Sequence, residues 1–457
     1  MYINDKLQTK QAIRHNFPVI GRLRYVFEHW GIFFRQYFFA NDREEMPFNR
    51  AQRNWVYRAA KNLDSTTAFG SSRNLSIPGT VFFANGLYPV LENEAIDTTG
   101  IIIGPDTPTP YYCEKFFHIS AMSYGAISVP AVRALSRGAK MAGIWLNTGE
   151  GGLSSYHLEG GCDLVFQIGT GKFGVRDHNG DFSDSKLKEL ADHPTIKMFE
   201  IKLSQGAKPG KGGILPAIKV TEEIARIRGI APGEAAISPN RFPEIEGPDD
   251  LLTMIDHVRT ITGKPTGIKL CIGNPVDMEL LCEAIIKRGQ ASAPDFITID
   301  SGDGGTGAAP MSLIDNVGML VYESLPQVVD ILIRQGLRER IKVIASGKLI
   351  NPSDVAWALC AGADFVNNAR GFMFSLGCIQ AMQCNKNTCP TGVTTHNKRL
   401  QAGLDPLDKA HRVNHYANNM IKEVTTIAHS CGVKDPRQLT RQHIRTIADN
   451  GKSMAFD

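Results

Sequence analysis

The sequence has little that would suggest a membrane span, a secreted protein or a nucleic-acid binder. No run of 18 uncharged apolar residues occurs among its 457 residues, so we expect no transmembrane helix. The formal charge is only +4, which predicts no nucleic-acid partner. No signal peptide precedes the nine cysteines. We therefore expect free thiols rather than a disulfide framework, and a cytoplasmic location.

A dinucleotide fingerprint is also missing. No G-x-G-x-x-G motif opens a helix after a first predicted strand, so a Rossmann-type nicotinamide site is not indicated. The hydrophobic content of 42% and the charged content of 21% are typical of a soluble globular protein. A chain of this length allows one large domain with extensions, or two domains.

Residues 17–39 combine many aromatic side chains with the basic residues Arg22, Arg24 and Arg35. Such a segment could lie on a membrane surface. It could instead be a helix packed against the body of the protein or against a partner, and we favour this interpretation.

From residue 116 onward, short apolar runs alternate with helical patterns. The runs are apolar on both faces, as is typical of parallel strands covered by helices. The eight runs are 116–121, 144–147, 164–168, 198–203, 267–272, 296–300, 342–345 and 364–367. Eight strand–helix units predict an α/β fold, a (β/α)8 TIM barrel. A doubly wound open sheet is the alternative.

We predict three regions in the chain. Residues 1–112 form an N-terminal extension that wraps the barrel, residues 113–400 form the barrel, and residues 401–457 form a C-terminal helical segment. Within that segment, residues 409–427 and 438–448 are predicted helices. They either close the barrel or form an interface in a homo-oligomer.

The predicted strands end in small, polar or charged residues, and a TIM barrel places its active site at those ends. Glycine-rich loops after the last three strands suit a phosphate group, because their backbone N–H groups are accessible. Each loop alone could instead be a tight turn. Three such loops in succession favour a phosphate-bearing cofactor, and FMN is the natural candidate. The residues concerned are Gly304, Gly305, Ser346, Gly347, Ala369 and Arg370.

Charged residues accompany these loops. Lys269 lies inside an otherwise apolar strand, where it would be costly unless it faced an anion such as a reduced flavin. It could also reach solvent from a strand end. Glu150 and Lys208 lie on glycine-rich loops, where they could contact a substrate or could be solvated.

Cys378, Cys384 and Cys389 occur with the spacing C-x5-C-x4-C, and Pro390 follows the last of them. Three thiolates on one loop suit a cluster of three irons, with one protein ligand for each iron. Buried thiols, or zinc with a distant histidine as a further ligand, are the alternatives.

Four motifs together resemble the FMN-binding, synthase domain of glutamate synthase. They are residues 147–152, residues 205–210, residues 303–308 and the cysteine loop that closes in Cys389-Pro390. The resemblance covers about residues 116 to 396 and is closest to stand-alone proteins of the FMN-binding glutamate synthase family. It implies FMN in a TIM barrel, a [3Fe-4S] cluster on the three cysteines, and reductive amination of 2-oxoglutarate.

The resemblance also implies roles for individual residues. Glu150, Lys208 and Arg228 match positions near the 2-oxoglutarate, and Lys269 matches the lysine near the flavin. Further strand-end residues complete the expected FMN site: Ala121, Met122, Ser123 and Gln167.

The sequence departs from the family pattern near the expected substrate. Ile214 replaces a usual glutamine, Lys211 a glutamate and Gly247 a serine, and residues 240–242 interrupt a Pro-Pro-His-His run. Met1-Tyr2 offers no N-terminal cysteine nucleophile, so we expect the chain to lack its own glutaminase.

The expected enzyme is an oxidoreductase acting on CH–NH2 donors, and its substrates are a 2-oxo acid and ammonia or an amine. A ferredoxin or a reductase subunit would donate electrons, and a separate amidotransferase could supply ammonia. The alternatives are a different oxo acid or amine, or an electron-transfer subunit without substrate turnover.

Overall fold

The eight predicted strands form a closed parallel barrel. The computed structural model describes residues 1–456; Asp457, the last residue of the predicted C-terminal segment, lies outside the described residues. Each strand pairs with the next along the chain, and the last pairs with the first. The TIM-barrel prediction is therefore confirmed. The strands are Phe117–Ile119, Leu146–Asn147, Leu164–Ile168, Ile196–Lys202, Thr266–Leu270, Phe296–Asp300, Lys342–Ser346 and Phe365–Asn368.

The longer helices between the strands also follow the predicted pattern, because each buries apolar side chains on one face, whereas the short helix Met311–Ile314 buries none. One begins earlier than expected: Val321–Arg334 contains Pro326 in its interior rather than at its start. The others are Val129–Ala142, Ser155–Leu158, Asp184–Ala191, Glu222–Arg228, Pro248–Thr262, Pro275–Arg288, Met311–Ile314, Pro352–Cys360 and Arg370–Ser375, with a 3-10 turn at Gln290–Ser292.

An excursion between the fourth and fifth strands extends the carboxyl-end face. Strands Ile214–Leu215 and Ala236–Ile237 pair in antiparallel fashion. The 3-10 turn Ala217–Lys219 and the helix Glu222–Arg228 lie between them in the chain. This excursion carries both Lys219 and Arg228.

A small hairpin packs at the amino ends of the barrel strands. Ile101–Ile103 pairs with Tyr111–Cys113 in antiparallel fashion. Its buried side chains join a core cluster that includes Trp145 and Phe365. Because apolar packing occupies this end, the opposite, carboxyl end is left for polar side chains.

The C-terminal segment is only partly helical. The predicted helix at 409–427 is confirmed as Pro406–Ser430. The predicted helix at 438–448 is wrong: Ile444–Ile447 is a strand that pairs with Val81–Phe83 and with Ser453–Ala455. Partners from distant parts of the chain override a local helical pattern here. The remaining short elements are the 3-10 turns Glu92–Glu94, Pro436–Gln438 and Arg441–His443 and the helix Lys398–Gln401.

The chain divides into two compact units, residues 1–55 and residues 56–457. In the first unit, the buried carboxylate of Asp5 accepts hydrogen bonds from Arg14 and Arg22. Among residues 1–456, none of the helices combines the length and apolarity that a membrane crossing needs. The N-terminal helices are Tyr2–Leu7, Ala12–Asn16, Gly21–Phe34, the π-helical turn Arg35–Phe39, and Arg50–Ala60.

Candidate functional site

Most of the predicted site residues line one cavity at the carboxyl ends of the barrel strands. Residues from distant loops meet there because parallel strands end at the same edge of a barrel. Gly304, Cys378 and Cys389 do not line this cavity. The predicted residues that do are Ala121, Met122, Ser123, Glu150, Gln167, Lys208, Arg228, Lys269, Gly305, Ser346, Gly347, Ala369, Arg370 and Cys384.

Glu150 lies in a recess that only glycine leaves open. Its Oε1 accepts a hydrogen bond from Lys202 Nζ at 2.8 Å. A Cβ atom at Gly213 would come within 2.2 Å of Glu150 Oε1. Burial opposes ionisation of Glu150, but the positive charges of Lys202, Lys208 and Arg228 outweigh it and lower the pKa of the carboxyl. Glu150 is therefore a buried anion at neutral pH.

Lys208 and Arg228 are buried cations. Lys208 is 3% exposed, and its Nζ donates a hydrogen bond to the carbonyl of Ala308 at 3.1 Å. Arg228 Nη2 donates to the carbonyl of Tyr124 at 3.3 Å, whereas its Nε has no hydrogen-bond partner among residues 1–456. Burial lowers the pKa of Lys208 to about 8 and that of Arg228 to about 10. Neither forms an ion pair with a carboxylate of the described chain.

Lys269 already has an anionic neighbour within the protein. Its Nζ lies 3.5 Å from Oδ2 of Asp300, at the end of the adjacent strand. The same Asp300 oxygen accepts a hydrogen bond from the backbone N–H of Gly206 at 2.9 Å. The sequence analysis considered a flavin as the anion facing Lys269 and did not identify Asp300.

Glu200 is a buried carboxylate that the sequence analysis missed. It is 1% exposed, inside the fourth barrel strand. Its Oε1 accepts from Asn147 Nδ2 at 2.8 Å and from Gln167 Nε2 at 2.6 Å, and its Oε2 accepts from Thr298 Oγ1 at 2.7 Å. A glutamate inside an apolar strand was the available signal, and it is the same signal that identified Lys269.

The glycine-rich loops after the last three strands contact one another. Gly347 has φ of +114°, and a Cβ there would come within 2.4 Å of Ser301 Cβ. Lys348 Nζ lies 3.0 Å from Asp303 Oδ2. Arg370 Nη2 donates to the carbonyl of Thr306, which links the loop after the sixth strand to the loop after the eighth. The three loops therefore form one surface rather than three independent turns.

The three cysteines of the cysteine loop are free thiols. Burial raises the pKa of Cys378 to about 11, and the nearby Cys384 and Cys389 add to this rise. Although burial opposes it, hydrogen bonds from Thr391 and Thr394 lower the pKa of Cys389. Among residues 1–456, no three His, Cys, Asp or Glu side chains converge on one metal ion. The three cysteine side chains therefore do not form a converged metal site in this structure, for zinc or for iron.

Lys219 lies between the first barrel loop and the cysteine loop, and the sequence analysis did not single it out. It is 2% exposed. Its Nζ donates to the carbonyl of Ala126 at 2.6 Å and to the carbonyl of Cys384 at 3.2 Å. Burial lowers the pKa of Lys219 to about 8, while Cys384 and Cys389 oppose this shift. The available signal was a single lysine among the apolar residues of the turn Ala217–Lys219 and its neighbour Val220.

The residues that depart from the family pattern lie in different parts of the structure. Ile214 lines the cavity, so an apolar side chain faces the candidate substrate region. Gly247 precedes the helix Pro248–Thr262 and has open space where a side chain would start. Arg241 Nη1 donates to three nearby backbone carbonyls, and Phe242 is buried. Arg241 and Phe242 therefore stabilise their loop.

The comparisons with known proteins agree on one family. The conserved region in glutamate synthase matches residues 89–434. The glutamate synthase large subunit-like protein YerD of Bacillus subtilis is 40% identical over all of this chain and 94% of that protein. The archaeal-type glutamate synthase [NADPH] of Dehalococcoides mccartyi is 33% identical over 72% of this chain. This chain spans 63% of that relative's length.

The solved structures show the same fold at low sequence identity. The flavin-binding domain of baker's yeast flavocytochrome b2 is 13% identical, with a TM-score of 0.50, over 89% of this chain and 81% of that chain. The match to the conserved region and the full-length relative settle the family. The chain belongs to the glutamate synthase family, and its barrel is the family's FMN-binding, synthase domain.

Proposed function

We propose that this chain is a glutamate synthase-like oxidoreductase that aminates a 2-oxo acid reductively, in the CH–NH2 class. The observation that supports this most is the meeting of Glu150, Lys208 and Arg228 with the flavin-loop residues in one cavity. These three residues come from different segments of the chain. Burying Lys208 and Arg228 without an ion pair to a carboxylate costs free energy of folding, so their burial beside Glu150 supports a role in binding a ligand rather than in stability.

The residues of the cavity fit FMN. Gly305, Ser346 and Gly347 line the cavity and would present backbone N–H groups to its phosphate, and Arg370 would add positive charge. Gly304 precedes Gly305 in the chain, and its N–H already donates to the carbonyl of Ser301. The flavin ring would lie near Lys269 and the residues Ala121, Met122, Ser123, Gln167 and Ala369. Glu200 would hold the Gln167 amide in place through its hydrogen bond.

We propose a [3Fe-4S] cluster on Cys378, Cys384 and Cys389, because one loop supplies three thiols, one for each iron. The three thiols are free, and hydrogen bonding already favours the thiolate of Cys389. Two cations lie beside Cys384: Arg370 Nη1 is 4.0 Å from its Sγ, and Lys219 Nζ contacts its carbonyl. These cations would offset the negative charge of three thiolates. When bound, FMN supplies hydride transfer and the cluster supplies one-electron transfer.

Lys208 and Arg228 would hold the two carboxylates of 2-oxoglutarate. Charge-assisted hydrogen bonds to carboxylates are strong in a buried site, and a guanidinium can form two parallel ones. Glu150 would orient ammonia, or the positively charged imine formed from it, next to the reacting carbon. The other ionic partner of Glu150 is Lys202, which keeps the carboxylate charged and in position.

The second candidate function is the same kind of reaction with a different 2-oxo acid or amine as substrate. It is favoured by Ile214, which places an apolar side chain in the cavity where the family usually has a glutamine. An apolar wall would favour a substrate with an apolar group on that side.

The test is the reoxidation of the anaerobically reduced protein. We expect 2-oxoglutarate with ammonium to reoxidise it, and Arg228→Lys to slow the reaction because lysine cannot form the two-point contact. Arg226→Lys is the matched control, since Arg226 is an exposed residue of the same helix. If another oxo acid reoxidises the protein rapidly while 2-oxoglutarate does not, the second candidate is correct.

We also propose the partners and the location that this chemistry requires. A ferredoxin or a reductase subunit would donate electrons, and a separate amidotransferase could deliver ammonia. The proposed location is the cytoplasm, with membrane-surface contact through residues 17–39. Homo-oligomerisation and the division of the chain at residues 112 and 400 remain predictions.

A further inference from the structure

The N-terminal helix exposes an unusual number of large apolar side chains. In the helix Gly21–Phe34 and the following turn Arg35–Phe39, only Gly21 is buried. Phe27 is 63% exposed, Trp30 54% and Phe38 74%. The other large apolar side chains exposed here are Leu23, Val26, Ile32, Phe33, Phe34, Tyr37 and Phe39.

Most of these side chains share one face of the helix. At 3.6 residues per turn, the large apolar residues of Gly21–Phe34 other than Tyr25 and Ile32 lie within an arc of about 120°. They are Leu23, Val26, Phe27, Trp30, Phe33 and Phe34. Arg24, Glu28 and Arg35 lie outside that arc and are also exposed. We call this arc the aromatic face.

The net charge of the protein is concentrated in the same region. Residues 1–40 contain six lysines and arginines and two acidic residues, a formal charge of +4, which equals the charge of the whole chain. Asp5 is already paired with Arg14 and Arg22. Lys6, Lys10, Arg24 and Arg35 are exposed. The region therefore presents positive charge around an apolar face.

We propose that the aromatic face docks in the plane of an anionic phospholipid bilayer, with the flanking basic side chains at the headgroups. The helix and the π-helical turn that continues it carry Arg22, Arg24, Glu28 and Arg35, and such charges are costly in the hydrocarbon core, so the segment lies in the interface rather than across it. Tryptophan and tyrosine rings suit that interface, and basic residues beside them attract anionic lipid.

Charge favours lipid over a second copy of this chain as the occupant. Two copies that met through the aromatic face would bring two regions of charge +4 together, and those regions would repel each other. An anionic bilayer covers the same apolar area and attracts the same charge. This inference does not depend on the proposed chemistry of the barrel.

The first test is flotation of the full chain with phosphatidylcholine vesicles, alone or mixed with phosphatidylglycerol. We expect binding only when phosphatidylglycerol is present, and we expect it to weaken as ionic strength rises, because salt screens surface charges. The absence of binding to the mixed vesicles overturns the proposal, as does equal binding to both kinds of vesicle.

The second test separates the apolar contribution to vesicle binding from the electrostatic contribution. Phe27→Ser with Trp30→Ser, and separately Arg24→Glu with Arg35→Glu, should each weaken vesicle binding by at least about tenfold. Tyr88→Ser and Lys434→Glu are the matched controls, since both residues are exposed and outside the region. The controls should bind like the unchanged chain, and unchanged binding by the two double variants contradicts the proposal.

Light scattering distinguishes the alternative occupant. The unchanged chain and Phe27→Ser with Trp30→Ser should have the same molar mass in solution without lipid. A dimer that this double variant dissociates would show that a second copy covers the aromatic face, and would overturn the lipid proposal. Circular dichroism of each variant checks that it is folded.

Discussion

The side chain of Gln167 donates a hydrogen bond from Nε2 to Oε1 of Glu200, and the two atoms lie 2.6 Å apart at the carboxyl ends of two adjacent barrel strands. Gln167 lines the cavity, whereas Glu200 is almost completely buried beneath it. The carboxylate accepts two more hydrogen bonds, from Asn147 and Thr298. One buried glutamate side chain therefore fixes polar side chains from three other strands.

We predict that Glu200→Met loses both stability and flavin. The apolar side chain leaves the side-chain amides of Asn147 and Gln167 without their acceptor, and a buried donor without an acceptor costs about 1–3 kcal/mol. Denaturant unfolding would measure the stability, and absorbance would measure the FMN content. Glu189→Met is the control, because Glu189 is exposed on a barrel helix. A variant with normal stability and normal FMN content would show that the network is unimportant.

The contributions of Lys202 and Glu150 to the free energy of unfolding should depend on each other. Lys202→Met leaves the Glu150 carboxylate buried without its nearest cation, which should cost about 3 kcal/mol near neutral pH. The double variant Lys202→Met with Glu150→Gln should recover most of that loss, because it removes the uncompensated charge. Chemical unfolding of the four proteins completes the cycle. Additive effects would show that the two residues are not coupled.

The pH dependence of Glu150 has a definite sign. Its pKa in the folded protein lies below the ordinary value of 4.5, so its ionised form stabilises the fold above about pH 4.5. That contribution is lost as the pH falls through the lowered pKa. Glu150→Gln should therefore be destabilising near neutral pH and nearly neutral in strong acid. A stability difference that grows on acidification would contradict this expectation.

Lys208 should make substrate binding depend on pH near 8. Burial lowers the pKa of Lys208 to about 8, so the free protein loses this cation as the pH rises through that value. We expect KM for the 2-oxo acid to rise above pH 8, by up to about tenfold per pH unit. Lys208→Arg should remove the rise, because arginine stays charged. A flat profile in the unchanged protein would show that Lys208 does not bind the carboxylate.

Lys219 should tune the iron–sulfur site if the cluster is present. The first measurement is iron, which we expect at about three per chain after anaerobic preparation. Lys219→Met should then lower the reduction potential by tens of millivolts, on the order expected for a nearby buried cation that favours the more negative, reduced form. Redox titration followed by EPR measures this shift. An unchanged potential in a variant with full iron content would contradict the assignment.

The sequence by itself determined the barrel and the positions of its loops. Alternating apolar runs and amphipathic patterns are local signals, and all eight strands formed close to where those signals predicted. Motif residues such as Glu150 and Lys208 lie at strand ends, so the barrel topology alone brings them to one face. The resemblance of those motifs to glutamate synthase likewise needed no coordinates.

Only the tertiary structure decided which charges meet. The approach of Lys269 to Asp300, of Lys202 to Glu150 and of Lys219 to the cysteine loop depends on register and side-chain direction, which a linear pattern does not contain. The same limit explains the error at Ile444–Ile447, where a strand more than 300 residues earlier supplies the pairing. Local patterns fix the elements, because backbone hydrogen bonding and amphipathicity are local. The electrostatic partners are fixed by packing, because burial strengthens contacts between residues far apart in the chain.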